Sequence, residues 1–292
     1  MISLGVGEVQ IGGSDMAGIL EGQIVVVTGS GRGLGRAYAL AMAAEGAMVV
    51  VNDRDREPAE LVANEITSSG GRATVCVEAV GTRAAARDLV ATAVDRFGGI
   101  DVMITNAGAD RRGPLLDLND DDWEFTIRTH VFGSILCSVE AAKAMRDQGR
   151  GGAIINVTSD AFYMGMANIA PYCVSKGGTY ALMLVLAAEL SPLGISVNAI
   201  APPATRTEPM LAYVDSLGAA MGLTDAQVAE FKGAILEPEE VAPLAVFLAS
   251  PEGRTLSGTV LSVTADGPTI LRGPSYVDPE PEVGAALRRF FD

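Results

Sequence analysis

The sequence predicts a doubly wound α/β fold: a parallel sheet of about seven strands with helices on both faces. Three features lead there. Short runs apolar on both sides, such as "QIVVVTG" (23–29) and "AMVVVND" (47–53), alternate with helix-length segments along most of the chain. Strands without a polar face belong in parallel sheets covered on both sides, and right-handed crossovers then wind the chain doubly. Glycines cluster between the first strand and the first helix, where such folds receive ligands. No linker breaks the pattern, so residues 1–292 are expected to form one domain.

After a Gly-rich N-terminal extension (1–22) come the strand 23–29 and an Ala-rich helix (35–46) stopped by Gly46. The strand 47–53 leads to a helix (57–71) with Pro58 near its first turn and a Ser/Gly exit. Then follow a strand (73–79), a helix (82–99) with a Gly exit, and a strand (100–108) ending in a tight turn. A long helix lies within 120–148, begun by "NDDDW", whose carboxylates suit a helix N-terminus. A fifth strand (151–159), the helix "IAPYCVSKGGTYALMLVLAAEL" (169–190) and a sixth strand (194–202) come next. Residues 203–235 read as an irregular substrate loop with a broken helical pattern. A last helix (237–250), a last strand (257–267) and a tail (268–292) containing a small amphipathic piece complete the chain.

Composition narrows the function. The formal charge is −15, from 36 acidic and 21 basic residues, which argues against nucleic acid or an anionic membrane as partner. Cys76, Cys137 and Cys173 are odd in number, far apart and in no C-x-x-C arrangement, so neither a disulfide framework nor structural zinc is expected. The start of the chain lacks the basic and long apolar stretches of a signal peptide, and no uninterrupted apolar run reaches the ~20 residues a bilayer requires. A cytoplasmic, soluble protein is expected.

The stretch "VTGSGRGLGRAYAL" places Gly29, Gly33 and Gly35 at the turn between the first strand and the first helix. Glycines let the backbone turn sharply and approach a pyrophosphate, whose charge meets the helix N-terminus. Ser30, Arg32 and Leu34 belong to the same candidate nucleotide loop. The second strand ends in Asp53, about twenty residues on, where a carboxylate accepts hydrogen bonds from adenosine ribose hydroxyls and repels a 2′-phosphate. That favours NAD over NADP, although Arg32 and Arg54 are both placed to pair with a phosphate. Farther along, Tyr172 and Lys176 stand one helical turn apart, their Cβ atoms about 5–6 Å from one another. A cation there is expected to pull the phenol below its usual pKa of about 10, into the range of a proton shuttle.

The glycine loop, "TNAG" (105–108), Ser159 and the Tyr172-x-x-x-Lys176 pair stand in one order, and together they resemble the short-chain dehydrogenase/reductase family from about Gly22 to Gly267. The resemblance implies a Rossmann-type fold and a nicotinamide cofactor, with no metal. Tyr172 is then the general acid/base, Lys176 its partner and a ligand of the nicotinamide ribose, and Ser159 the holder of the substrate oxygen. Asn106, Ala107 and Gly108 form the turn beside the cofactor, and Thr207 meets the nicotinamide carboxamide. His130, the sole histidine, stands where the family often has an asparagine whose main-chain carbonyl serves a proton relay; it is a catalytic candidate and equally a structural histidine. Pro202–Pro203 replaces the usual Pro-Gly after the sixth strand and stiffens the entry to the substrate loop. Ala79 replaces the acidic residue near the adenine, leaving backbone contacts beside Val80.

"GLGRAYALAMAAEGAMVVVND", "RTHVFGS" and "EEVAPLAVFLAS" are similar to the 3-hydroxyacyl-CoA and hydroxysteroid dehydrogenase branch, implying an NAD-linked dehydrogenase of a bulky secondary alcohol. Met210 and Tyr213 are expected among its apolar walls, and Arg111 and Arg112 as solvated surface charges. The resemblance also implies a homo-oligomer, a dimer or tetramer paired through the long helix and the tyrosine-bearing helix. Two alternatives stand beside this reading: an NADPH-dependent 3-oxoacyl-type ketoreductase, and a catalytically idle cofactor sensor or scaffold.

Overall fold

The computed structural model describes residues 18–264 and 266–271. Its centre is an eight-stranded sheet: β1 (Ile24–Val27), β2 (Met48–Asp53), β3 (Arg72–Val77), β4 (Val102–Thr105), β5 (Gly152–Val157), β6 (Ile195–Ile200), β7 (Val260–Thr264) and β8 (Gly267–Ile270). The order is β3-β2-β1-β4-β5-β6-β7-β8, parallel from β3 to β7, with β8 antiparallel to β7. Seven expected strands are thus eight, because the run 257–267 ends in a reversal between Thr264 and Gly267 and a short return strand. That strand also takes the first residues of the expected C-terminal tail. The amphipathic piece lies outside the described residues.

The central strands are buried throughout and largely apolar because each of their faces meets helices. In β1, Val25 and Val27 join one core with Tyr38 and Met42 of α1 (Gly33–Ala44), Val62 of α2 (Arg56–Ser68) and Leu248 near the chain's end. The alternate residues Ile24 and Val26 join a second core with Leu89 of α3 (Arg83–Phe97), and with Met145 and Met183 farther on. Residues 18–22, expected in the N-terminal extension, belong to the body: Leu20 is fully buried and its N–H donates to the Glu45 carbonyl at 2.9 Å. Residues 1–17 of that extension lie outside the described residues.

The expected long helix is three pieces end to end: α4 (Asp120–Ile127), a π-helical turn (Arg128–Phe132) and α5 (Gly133–Gln148). Its acidic start is a capping box, in which Asn119 and Asp122 each accept the other's backbone N–H at 3.1 Å. A short helix, α6 (Ala161–Met164), stands in the loop after β5, followed by α7 (Ala170–Leu190). By length and composition Ala170–Leu193 is apolar enough to cross a membrane. Its inner face, however, carries buried Ser175, Lys176 and Thr179 against the sheet, so it is a helix of the α/β body.

The expected irregular loop 203–235 is mostly helical, with α8 (Glu208–Met221) and α9 (Asp225–Gly233) capped by Thr207 and Thr224. Their periodicity is weak for a physical reason: Gly218 is the one buried residue of α8, and α9 has none, so neither needs an apolar stripe facing a core. Finally, α10 (Pro238–Ala249) lies against α1 and closes the first core through Val241, Leu244 and Leu248.

Candidate active site

The order of strands reverses at β1 and β4, and ligands bind in this kind of sheet at the carboxyl ends of the strands flanking such a point. Gly29, at the end of β1, takes φ 61°, a conformation that favours glycine. A Cβ on Gly35 would lie 2.1 Å from the Gly29 carbonyl and 2.5 Å from Asn106 Nδ2, so only a glycine lets α1 come this close. The loop is braced from the neighbouring strand. Asn106 Nδ2 donates to the carbonyls of Thr28 (3.0 Å) and Gly29 (3.1 Å), while Thr28 Oγ1 accepts the N–H groups of Asn106 and Ala107, both at 3.0 Å.

Several expected cofactor residues play distinct parts. Ser30 is fully buried and braces the loop from below, its hydroxyl donating to the Val27 carbonyl at 2.8 Å and accepting the Asn52 N–H at 3.0 Å. Leu34 packs against the first core, and Val80 against the second, beside Gly133. Asp53 ends β2, its carboxylate accepting the N–H groups of Gly31 and Asp55 at 3.1 Å each. Pro202 follows β6, and Thr207 farther on comes to the loop itself: a Cβ on Gly33 would lie 3.2 Å from Thr207 Cγ2.

These residues fit a dinucleotide. No side chain caps the N-terminus of α1 and no acidic residue stands in its first turn, so its backbone N–H groups suit a pyrophosphate. Asp53 suits a ribose diol, and Thr207 stands at the opposite end of the loop.

Tyr172, Lys176, Ser159 and His130 converge beside the "NAG" turn. The Ser159 hydroxyl, just past β5, donates to Asp160 Oδ1 at 3.3 Å and stands beside the Tyr172 phenol, whose pKa it lowers. It also accepts the Ala161 N–H at 3.2 Å. Lys176 is buried, with Nζ donating to the Val157 carbonyl at 2.8 Å and lying 5.4 Å from the centre of the Tyr172 ring. The carbonyl of Lys176 accepts from Thr158 Oγ1 (3.0 Å) and Thr179 Oγ1 (2.9 Å), which pins α7 to the end of β5.

The acidity of the phenol differs from the sequence expectation. Burial pushes Tyr172 up to about 12; the Ser159 hydroxyl and Arg112 pull it down, and the charges of Asp110 and Asp160 push it further up. Lys176 does not draw it down because its ammonium is spent on the Val157 carbonyl and addresses the ring rather than the oxygen. Burial also lowers Lys176 to about 8, partly offset by Asp110.

His130 sits in the π-helical turn, 4% exposed, with its ring edge-on to Tyr172 at 5.5 Å between centroids. A Cβ on Gly108 would meet His130 Cε1 at 2.5 Å, so that glycine makes room for the imidazole. Burial and Lys176 hold the imidazole well below its ordinary pKa, against a hydrogen bond with the Ala109 backbone, and Nε2 has no partner among the described residues. The ring is therefore neutral at physiological pH.

Arg111 and Arg112 are more than solvated charges. Arg111 lies over the Phe125 ring at 4.3 Å. Arg112 pairs with Asp110 (2.7 Å), lies over the Tyr213 ring (5.0 Å) and donates to the Pro209 carbonyl (3.4 Å), which ties the turn after β4 to α8. Thr28, Asn52, Asp110 and Thr158 escaped the sequence reading. Only Thr28 carried a signal, as the hydroxyl just before the glycine turn.

Comparison with known proteins agrees with this fold and family. Residues 23–216 match the family described as short chain dehydrogenase. The short-chain reductase protein NovJ of Streptomyces niveus is 37% identical over 256 residues, covering 86% of this chain and 95% of NovJ. Hydroxyacyl-CoA dehydrogenase ChsB1 of Mycobacterium tuberculosis is 35% identical over 267 residues, covering 87% of this chain and 81% of ChsB1. The crystal structure of a short chain dehydrogenase from Mycobacterium avium superposes with a TM-score of 0.78 at 33% identity, covering 94% of this chain and 96% of that one.

Proposed function

Since the chain belongs to the short-chain dehydrogenase family, an oxidoreductase family acting on CH–OH groups, we propose that it interconverts a bulky secondary alcohol and its ketone with NAD as cofactor. The observation that carries this reading is the convergence of Ser159, Tyr172 and Lys176 at the carboxyl edge of the sheet, beside the glycine loop. Bound there, the nicotinamide supplies the hydride chemistry. The protein's part is orientation and proton transfer.

In this reading Ser159 holds the substrate oxygen and Tyr172 exchanges the hydroxyl proton at its phenol oxygen. Lys176, one turn along α7, is placed to hold the nicotinamide ribose, and neutral His130 holds the phenol ring edge-on. Asp53, Gly29, Gly33, Gly108 and Thr207 shape the nucleotide cleft. Met210 and Tyr213 of α8 line the substrate side, where an apolar wall suits an acyl or steroid-like body. The hydroxyacyl-CoA activity in the name of ChsB1 supports that substrate class.

A reductive direction has one observation in its favour. A phenol pushed up to about 12 keeps its proton through the neutral range, which suits a donor to a ketone. NovJ, named a reductase, agrees with that direction. The three cysteines are free thiols, which suits a reducing cytoplasm.

The test is a panel of hydroxyacyl-CoA esters, hydroxysteroids and simple secondary alcohols assayed for NAD reduction, and their ketones for NADH oxidation, with the wild type and Tyr172→Phe. Activity should appear on at least one bulky member and fall about 10²- to 10⁴-fold in the variant. Equal turnover by the variant rejects the acid/base role of Tyr172, and a wild type idle on the whole panel rejects the proposal in favour of a sensor or scaffold.

A further inference from the structure

The adenosine end of the cleft carries two carboxylates and two guanidinium groups, and they are paired unevenly. Asp53 is 9% exposed, and both its oxygens already accept backbone N–H groups, those of Gly31 and Asp55. Gly31 is pressed against it, since a Cβ there would lie 2.7 Å from Asp53 Oδ2. Asp53 is thus built into the loop and takes neither arginine. Asp55, two residues on and half exposed, takes both: Arg32 Nη2 at 3.2 Å and Arg54 Nε at 3.7 Å. Neither arginine has another carboxylate partner among the described residues.

We propose that Asp55 is a specificity-determining residue of the nucleotide site: by holding Arg32 and Arg54 it withholds from a 2′-phosphate the two cations that would otherwise bind it. The inference rests on the NAD reading above and deepens it. Asp53 alone faces two guanidinium groups, a balance that would welcome a phosphate bearing about −1.5 to −2 charges. With Asp55 the four side chains sum to zero, and a 2′-phosphate would have to displace a carboxylate already in place. A ribose hydroxyl makes no such demand.

Exposed ion pairs of this kind contribute little to folding, so the effect belongs to discrimination rather than stability. The geometry also isolates the charge. Asp55 is the N-cap of α2 but makes no side-chain capping hydrogen bond, so an amide or methyl in its place leaves the helix start intact.

The experiment is fluorescence titration of NADH and NADPH against the purified full chain, as wild type, Asp55→Asn, Asp55→Ala, and Asp55→Asn with Arg32→Ala and Arg54→Ala. The wild type should bind NADH more tightly than NADPH. Each Asp55 variant should bind NADPH about tenfold more tightly than the wild type, keep its NADH affinity within about twofold, and melt at the wild-type temperature. The gain should vanish when the arginines are removed. An unchanged NADH/NADPH ratio in both Asp55 variants, or a gain that survives loss of both arginines, overturns the role of Asp55 while leaving the NAD reading intact. A wild type that prefers NADPH, or binds neither nucleotide, overturns that reading and this inference with it.

Discussion

Tyr172 and Lys176 show how far a helical spacing carries an electrostatic argument. Positions four apart share a face, and the structure keeps both side chains at the same cleft, yet burial raises the phenol while the ammonium is turned to the Val157 carbonyl. A pH profile follows from the two values. Alcohol oxidation needs the phenolate together with the ammonium. With the amine at about 8 and the phenol at about 12, that pair grows about tenfold per pH unit up to pH about 8 and then levels. Ketone reduction needs both groups protonated, so its kcat/KM should hold to pH about 8 and fall above it. An oxidation rate flat from pH 6 to 8 would contradict the assignment. His130 should add no inflection near its ordinary pKa, because burial keeps it neutral. Thr28 offers a test of the scaffold: Thr28→Val keeps the shape but strips two backbone N–H groups of their acceptor. That should destabilise the protein by about 2–5 kcal/mol in denaturant unfolding, with nucleotide affinity falling as the Asn106 turn loosens.

Among elements, α8 is held by a few polar and cation–π contacts rather than by a buried apolar face. On the far side, the segment after β6 is fastened by Arg206, which pairs with Glu237 at 2.6 Å, and by Lys232 to Asp215 at 2.6 Å. On the side of the cleft, Arg112 reaches it through the Tyr213 ring and the Pro209 carbonyl. Arg112→Ala should raise KM for bulky substrates about threefold to tenfold with NADH affinity unchanged, and speed hydrogen exchange across α8. An unchanged exchange pattern would show that Arg112 does not hold the helix. The π-helical turn is the other element with a local task. It interrupts an otherwise regular helix at the residue that must set an imidazole against Gly108 and Tyr172, and such turns commonly stand at functional sites.

At the scale of the molecule, α7 has two faces with different duties. Its inner face carries Ser175, Lys176, Thr179, Met183 and Leu186 toward the sheet. Its outer face leaves Val174, Leu184 and Val185 exposed. Exposed apolar side chains on this helix suit a subunit contact, and the long helix within 120–148 and the tyrosine-bearing helix are where a homo-oligomer is expected to pair. Val185→Asp should shift the protein toward monomer in light scattering, without unfolding it. A variant that keeps the wild-type mass would place any oligomer contact elsewhere.

The alternation of largely apolar strands with helices, the glycine turn and the Tyr172–Lys176 spacing were legible in the sequence, because each is a local pattern whose physics acts within a few residues; Ser159 was reached through the order of motifs that resembles the family. The return strand β8, the helices α8 and α9 and the π-helical turn were not, because none carries a clear apolar periodicity: β8 is a four-residue strand exposed over Pro268–Ile270, and α8 and α9 bury a single glycine between them. The same division holds at the site. Helical spacing put Tyr172 and Lys176 on one face, and the family resemblance added Ser159 and His130 to their cleft. Only the tertiary structure decided that the ammonium of Lys176 goes to the Val157 carbonyl, that Asp55 gathers Arg32 and Arg54, and that Arg112 reaches Pro209, since hydration and charge pairing depend on neighbours that the linear order does not reveal.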